Sequence, residues 1–218
     1  MNNKLTKISI LLLIAVSFAI GIIVYPRLPE TVASHWNTQG MVDGYMSKFW
    51  GIFLMPMFLI FIYALYLIIP KIDPLKNNLE SFRKQFNLLI LLISIFLFYT
   101  FALTIAWNLG MVFDMNNFIL PALGIFFYYI GVLIKHAKRN WFVGIRTPWT
   151  LSSDYVWDKT HKIGSKLFKI IGVITLLGVF LPNYIFGLFL VLLIGSVLYL
   201  FIYSYILFKK ENENKLSN

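Results

Sequence analysis

Six long apolar runs, separated by short polar connections, constrain this 218-residue chain more than any other feature of its sequence. They are Leu5 to Tyr25, Phe49 to Ile69, Phe86 to Trp107, Phe118 to Ile134, Leu167 to Leu181 and Tyr184 to Phe208. About 20 apolar residues cross a hydrocarbon core of about 30 Å at about 1.5 Å rise per residue. A backbone surrounded by lipid must also pair its amides within its own segment. The runs therefore read as membrane-spanning helices, the two shortest borrowing a flanking turn or sitting where the bilayer thins. The expected fold is all-α, a single polytopic membrane domain over residues 1–218 with six transmembrane helices.

Charge orients those helices. Assigning the connections alternately to two faces places Lys4, Lys7, Lys71, Lys76, Arg83, Lys84, the seven basic residues from Lys135 to Lys166, Lys169, Lys209, Lys210 and Lys215 together. Only Arg27 and Lys48 fall on the other face. One face then holds 17 basic and 6 acidic residues and the other 2 basic and 3 acidic, which accounts for the formal charge of +10. Lys and Arg in short loops stay inside, so both termini are expected in the cytoplasm. The basic balance thus reports topology, with attraction to anionic inner-leaflet lipid as its consequence. It implies no direct nucleic-acid partner.

Composition excludes several function classes. With 59% hydrophobic residues and six spans, the longest connection, residues 135–166, is too short for a core of its own. Cysteine is absent, which removes disulfides, thiolate metal sites and cysteine nucleophiles. The apolar stretch Ile8 to Val24 is longer than the h-region of a signal peptide, about 7–15 residues, and Tyr25-Pro26 follows without a small-x-small pattern, so the first run is expected to be an uncleaved span. Tyr25, Phe49, Trp50, Trp107, Tyr128, Tyr129, Tyr203 and Tyr205 form the aromatic belts of the two headgroup levels. Pro56 removes a backbone donor inside the second span, where a kink is expected, and the tail Lys209 to Asn218 is expected to fray. The central thirds of the spans carry no charge, which disfavours a proton- or ion-coupled pump. Asn87, Ser94, Thr100, Thr104, Thr175 and Ser196 could line a polar path, but hydrogen bonds between helices or back to the helix are the favoured reading.

Two connections differ from the rest. In the outer loop, residues 26–48, Pro29 and Glu30 can start a short helix whose residues Leu28, Val32 and Trp36, spaced by four, would rest on the membrane surface. Gly40 and Asp43-Gly44 supply turns there, and Ser47 is a candidate N-cap for the second span. In the inner loop, residues 135–166, Thr147-Pro148 is expected to break any helix, and Ser152 or Ser153 to cap a new one with Asp154 in its first turn. That helix would put Trp157 and His161 on one face.

Candidate chemistry is sparse. His35 with Asp43, His161 with Asp158, and His136 do not make the three or four converging ligands a metal needs, and no H-E-x-x-H occurs, so no metal or cofactor is expected. No G-x-S-x-G elbow serves Ser152-Ser153. Asp154 and Asp158 read as a helix-start charge and a partner for Lys162 rather than a catalytic pair. Arg146 is the first candidate for binding. It lies among Trp141, Trp149 and Trp157, which recur every eight residues, and its planar fork can stack on an indole or grip a carboxylate, a phosphate headgroup or a backbone carbonyl.

The inner stretch "NWFVGIRTPWTLSSDYVWDKTHKIG" resembles the signature of the SdpI family of bacterial integral membrane proteins. The outer stretch "LPETVASHWNTQGMVDGYMSK" is similar to the uncharacterised amino-terminal domain that often precedes it. The resemblance implies an amino-terminal region over residues 1–70 and an SdpI-like region over residues 118–208. It points to Asn140, Trp141, Gly144, Arg146, Thr147, Pro148, Trp149, Thr150, Trp157, Thr160 and His161 as inner binding residues. Outside it points to Pro29, His35, Trp36, Asn37, Gly40, Asp43 and Gly44. It further implies a non-enzymatic protein of the bacterial plasma membrane that binds and neutralises a secreted toxic peptide of the cannibalism type. Its expected partners are that peptide, membrane lipid and a cytoplasmic transcriptional repressor to which the signal is relayed. A small permease and a membrane enzyme acting on a lipid-linked or headgroup substrate are the alternatives; the enzyme would need Arg146 and His161 to converge.

Overall fold

The computed structural model describes residues 2–180 and 182–216. Its helices are α1 (Asn3–Val24), α2 (Lys48–Ile72), α3 (Lys76–Ser81), α4 (Arg83–Asn108), α5 (Asn116–His136), α6 (Pro148–Ser152), α7 (Asp154–Leu177) and α8 (Pro182–Leu216). Five of them, α1, α2, α4, α5 and α8, are long and apolar enough to cross a membrane. α7 overlaps the fifth apolar run but starts at Asp154 instead of Leu167, so the stretch ahead of that run carries Asp154, Asp158, Lys159, Lys162 and Lys166 and is not apolar enough by itself. Leu181, the expected end of that run, lies outside the described residues.

The expectation of an all-α chain is corrected at the outer loop. In place of a surface helix, residues 31–47 form an antiparallel hairpin, β1 (Thr31–Trp36) with β2 (Val42–Ser47), in register Thr31↔Ser47, Val32↔Met46 and Ala33↔Tyr45. The turn decides this. Asn37 Oδ1 accepts the N–H groups of Gln39 (2.9 Å) and Met41 (3.0 Å), and Gly40 takes φ 73°, a left-handed conformation that Gly adopts freely. Once the turn closes, the β-branched Thr31, Val32 and Val42 favour pairing over a single helical turn, which is marginal by itself.

Three smaller expectations change as well. Pro148 does not simply break a helix; it starts α6, with Thr147 as N-cap in a capping box with Thr150. Ser47 holds the N-cap position of α2 without a side-chain cap bond, and Lys48 N–H instead bonds the Glu30 carbonyl (2.8 Å). The tail continues as helix to Leu216 because Glu211 accepts from both Ser153 Oγ (2.6 Å) and Lys215 Nζ (2.7 Å).

Two apolar cores lie at opposite ends of the bundle. One gathers Val24, Leu28, Val32, Ile52, Phe101 and Ile105 beneath the hairpin. The other gathers Ile10, Tyr66, Leu79, Phe82, Phe86, Leu133, Val143 and Trp157 beneath the inner loop. α4 passes through both, and its 26 residues extend about 39 Å at about 1.5 Å per residue. α5 and α7 pack antiparallel through small residues. A Cβ on Gly124 would sit 2.9 Å from the Gly172 carbonyl oxygen, and one on Gly131 2.7 Å from that of Ser165, whose Oγ donates to the Gly131 carbonyl (2.6 Å). Such small-residue seams are how helices approach closely in lipid, where van der Waals contact replaces the hydrophobic effect.

Candidate functional site

The family-like residues collect at the two ends of the bundle. At one end, the hairpin is docked through its backbone. Asn108, at the end of α4, accepts the Ala33 N–H at its Oδ1 (2.8 Å) and donates Nδ2–H to the Ala33 carbonyl (3.0 Å), while Asn116 Nδ2 donates to the Thr38 carbonyl (2.9 Å). Val32 inserts beneath the sheet, where a Cβ on Gly51 would lie 2.1 Å from its Cγ2. Trp36 packs edge-on against Trp107 with ring centroids 5.9 Å apart.

Docking through the backbone leaves several outer side chains at the surface. His35 Nδ1 and Asp43 Oδ1 are in contact, with both side chains largely exposed. Gly44 lies under His35, where a Cβ would come within 2.8 Å of the histidine Cβ, so the glycine permits that pairing. Gly40 is pressed against the Asp114 carboxylate, and Pro29 is exposed where the chain enters β1. Asn37 is consumed by the turn.

At the other end the arrangement is reversed: Asn140, Thr147, Thr150 and His161 are buried and hydrogen-bonded. Asn140 is fully buried; its Nδ2 donates to the carbonyls of Lys138 and Val143 (both 2.8 Å), and its Oδ1 accepts from the N–H groups of Phe142 (2.9 Å) and Val143 (2.6 Å). Gly144 has φ 127°, and a Cβ there would lie 2.5 Å from His161 Nε2 and 3.0 Å from the Trp157 ring. Trp157 and His161 stack with centroids 3.9 Å apart, as their i, i+4 spacing predicts. Trp157 Nε1 donates to the Ala137 carbonyl (2.8 Å).

His161, in the charged first part of α7 ahead of its apolar run, has a defined tautomer. Nε2 accepts the Ile145 N–H (3.0 Å), so the proton sits on Nδ1 and is donated to the Trp157 carbonyl (2.8 Å). Burial lowers its pKa to about 4, opposed in part by the bond to Trp157, and the ring is neutral near pH 7. Thr147 and Thr150 close α6, and Thr147 Oγ1 meets Ser204 Oγ on α8 (3.1 Å). Thr160 is buried as well.

Of the inner set, Trp141, Arg146 and Pro148 are exposed and Trp149 is half-buried against Phe201 and Tyr205. Arg146 Nη1 donates to the Trp141 carbonyl, the backbone-carbonyl option of the sequence reading. Arg146 and His161 do not converge, since one faces solvent and the other lies in the core. Asp158 and Lys162 form no ion pair among the described residues; Asp154 instead meets Arg139 Nε (2.8 Å).

Sequence reasoning missed the residues that anchor these loops. Asp73 is buried, accepting the Leu75 N–H at Oδ1 (2.7 Å) and the Trp141 N–H at Oδ2 (3.2 Å), and thereby ties the end of α2 to the inner loop. Asn78 donates to the Arg139 carbonyl (2.8 Å). Asp73-Pro74 is a turn signal and could have been noted. Asn78 and Asn108 carry no such signal, because their partners lie 61 and 75 residues away. Among the described residues no group of three or more His, Cys, Asp or Glu is placed to hold a metal ion.

Residues 136–207 match the model of the SdpI/YfhL protein family, and residues 12–60 match that of a Domain of unknown function (DUF1648). The chain is 28% identical over 206 residues to Immunity protein SdpI of Bacillus subtilis (strain 168), a match covering 94% of this chain and 97% of that protein. No solved structure matches. The resemblance read from the inner and outer motifs therefore holds, and the chain is a homologue of an immunity protein with several helices able to span a membrane.

Proposed function

We propose that this protein is a six-span immunity protein of the bacterial plasma membrane, with both termini in the cytoplasm, that neutralises a secreted toxic peptide met on its outer face. The observation that carries this reading is the end-to-end match to an immunity protein. α7 is taken as the sixth spanning helix because its contacts with α5 pair Gly172 with Gly124 and Ser165 with Gly131, which sets the two helices side by side at one depth. The split of 17 basic residues against 2 gives the orientation. The hairpin then faces outward, where a secreted peptide arrives, and the inner loop presents Trp141, Arg146 and Lys138 to the cytoplasm, where a protein partner such as a repressor or the anionic lipid surface would meet them.

Neither alternative gains an observation. Ser94 and Thr175 bond carbonyls of their own helices, at Ile90 (2.9 Å) and Ile171 (2.8 Å), as does Thr100 at Leu97 (2.9 Å), which supports back-bonding over a polar transport path. Arg146 is exposed and His161 is buried, which gives a headgroup enzyme no constellation.

The test is protection. Sensitive bacteria expressing the protein should survive a dose of cannibalism-type peptide that kills cells carrying empty vector; equal killing, with the protein confirmed in the membrane, would remove the immunity reading. Topology is checked on the same cells. The natural sequence has no cysteine, so Thr38→Cys and Ser152→Cys, both at exposed positions, give single labelling sites. An impermeant maleimide should label the first and not the second.

A further inference from the structure

The hairpin tip, the α4–α5 connection and the first turns of α8 enclose a cleft of about 430 Å³ on the outer side, within the range of about 300–1,000 Å³ typical of ligand sites. One wall is polar and built in advance. Asn116 Nδ2 holds the Thr38 carbonyl (2.9 Å), Asp114 Oδ1 accepts the Asn116 N–H (2.8 Å), and Gly40 lies so close to Asp114 that any Cβ would overlap the carboxylate. The opposite wall is apolar and open: Tyr184 is 79% exposed, Leu190 is exposed beside it, and a Cβ on Gly187 would meet nothing within 4 Å.

The charge of this cleft states what it lacks. The outer face carries three carboxylates, of which Glu30 pairs with Lys48 (2.8 Å) and Asp43 with His35. Among the described residues Asp114 has no cationic partner, and it is the one of the three that lines the cleft. A ligand that satisfies both walls brings a cation to Asp114 and lays apolar side chains on Tyr184 and Leu190.

We propose that this cleft is a peptide-binding site that takes a cationic, amphipathic segment at the outer membrane surface. The proposal rests on the immunity reading and deepens it by assigning the toxin-facing surface to the hairpin tip and α8. Gly187 lies in open space on the apolar wall, Asp114 supplies the charge, and Gly40 lets the hairpin tip seat against Asp114.

The test uses the full chain in phosphatidylcholine nanodiscs and a fluorescent synthetic amphipathic peptide of Lys, Leu and Trp, with its Glu, Leu and Trp counterpart as the charge control and empty nanodiscs as baseline. The cationic peptide should bind saturably. Gly187→Trp, which fills the cleft, should weaken binding about tenfold or more, and Asp114→Asn, which keeps an acceptor for Asn116 N–H but removes the charge, about threefold or more. Gly195→Trp, on the same helix and likewise in open space, should bind as the wild type does. Equal binding by the wild type and both cleft variants, or equal binding of the Glu peptide, would overturn the site. Killing assays separate this from the immunity reading: protection that survives Gly187→Trp sinks the cleft alone, whereas peptide binding without protection sinks immunity and leaves the cleft standing.

Discussion

The outer hairpin and the inner loop both carry dense runs of family-like residues, yet they use them in opposite ways. The hairpin is held through its backbone by Asn108 and Asn116, and it leaves His35 and Asp43 at the surface. The inner loop turns polar side chains inward and takes one more from α7, so that Asn140, Thr147, Thr150 and His161 are buried and bonded to it. A hairpin satisfies its own main chain through ladder bonds and can spare its side chains. The inner loop has no ladder, and side-chain amides and hydroxyls must pair its buried backbone groups instead. Motif density therefore marks an exposed surface in one place and a folding device in the other.

The sharpest break of this comparison is Asn140→Ala. It orphans the partners of four contacts, of which the two to Val143 are buried and cost about 1–3 kcal/mol each when left unmade. The variant should be largely lost from the membrane and unfold far below wild type in detergent, as read by immunoblot and thermal denaturation. A variant of normal abundance with only protection impaired would show that the inner loop is a binding surface after all.

A smaller effect is expected from pH. With the pKa of His161 lowered to about 4 by burial, the folded ring stays neutral while an unfolded one would bind a proton below its ordinary value of 6.5. Stability is thus full above pH 6.5 and falls as pH drops toward 4, by at most about 3 kcal/mol. Melting temperature should decline between pH 7.5 and pH 5 in the wild type, and His161→Gln should flatten that decline. An unchanged slope would remove the buried histidine from the inner core's stability.

The mildest change belongs to the hairpin. Asn108→Ala removes both bonds to Ala33, worth about 1–2 kcal/mol together and confined to the docked strand. Hydrogen exchange at the Ala33 amide should quicken while the global melting temperature barely moves. Melting as low as that of the Asn140 variant would erase the distinction between the two ends.

Much of this was legible in the chain. The apolar runs fell within a few residues of α1, α2, α4 and α5 and of the start of α8, because length and hydropathy set where such helices lie. Ser153 and Asp154 marked the start of α7, and Trp157 and His161 met as their spacing required. The outer loop was misread because Leu28, Val32 and Trp36 also fit a helical period, and a short apolar set cannot decide between helix and strand without its turn. Asn37 and Gly40 decided it. The inner residues were singled out by the resemblance, but nothing in their order revealed that Asn140 and His161 face inward.

By itself, then, the sequence determined the helices, the charge asymmetry of the loops and the family resemblance, since each depends on local composition or on runs of neighbouring residues. Only the tertiary structure decided which polar residues are spent on the fold and which are left over. Asp73 holding Trp141, Asn108 holding Ala33 and Gly124 against Gly172 join positions 48 to 75 residues apart. Contacts of that range depend on how helices stack, and the identity of a residue's neighbours along the chain does not encode the direction in which its side chain will find a partner.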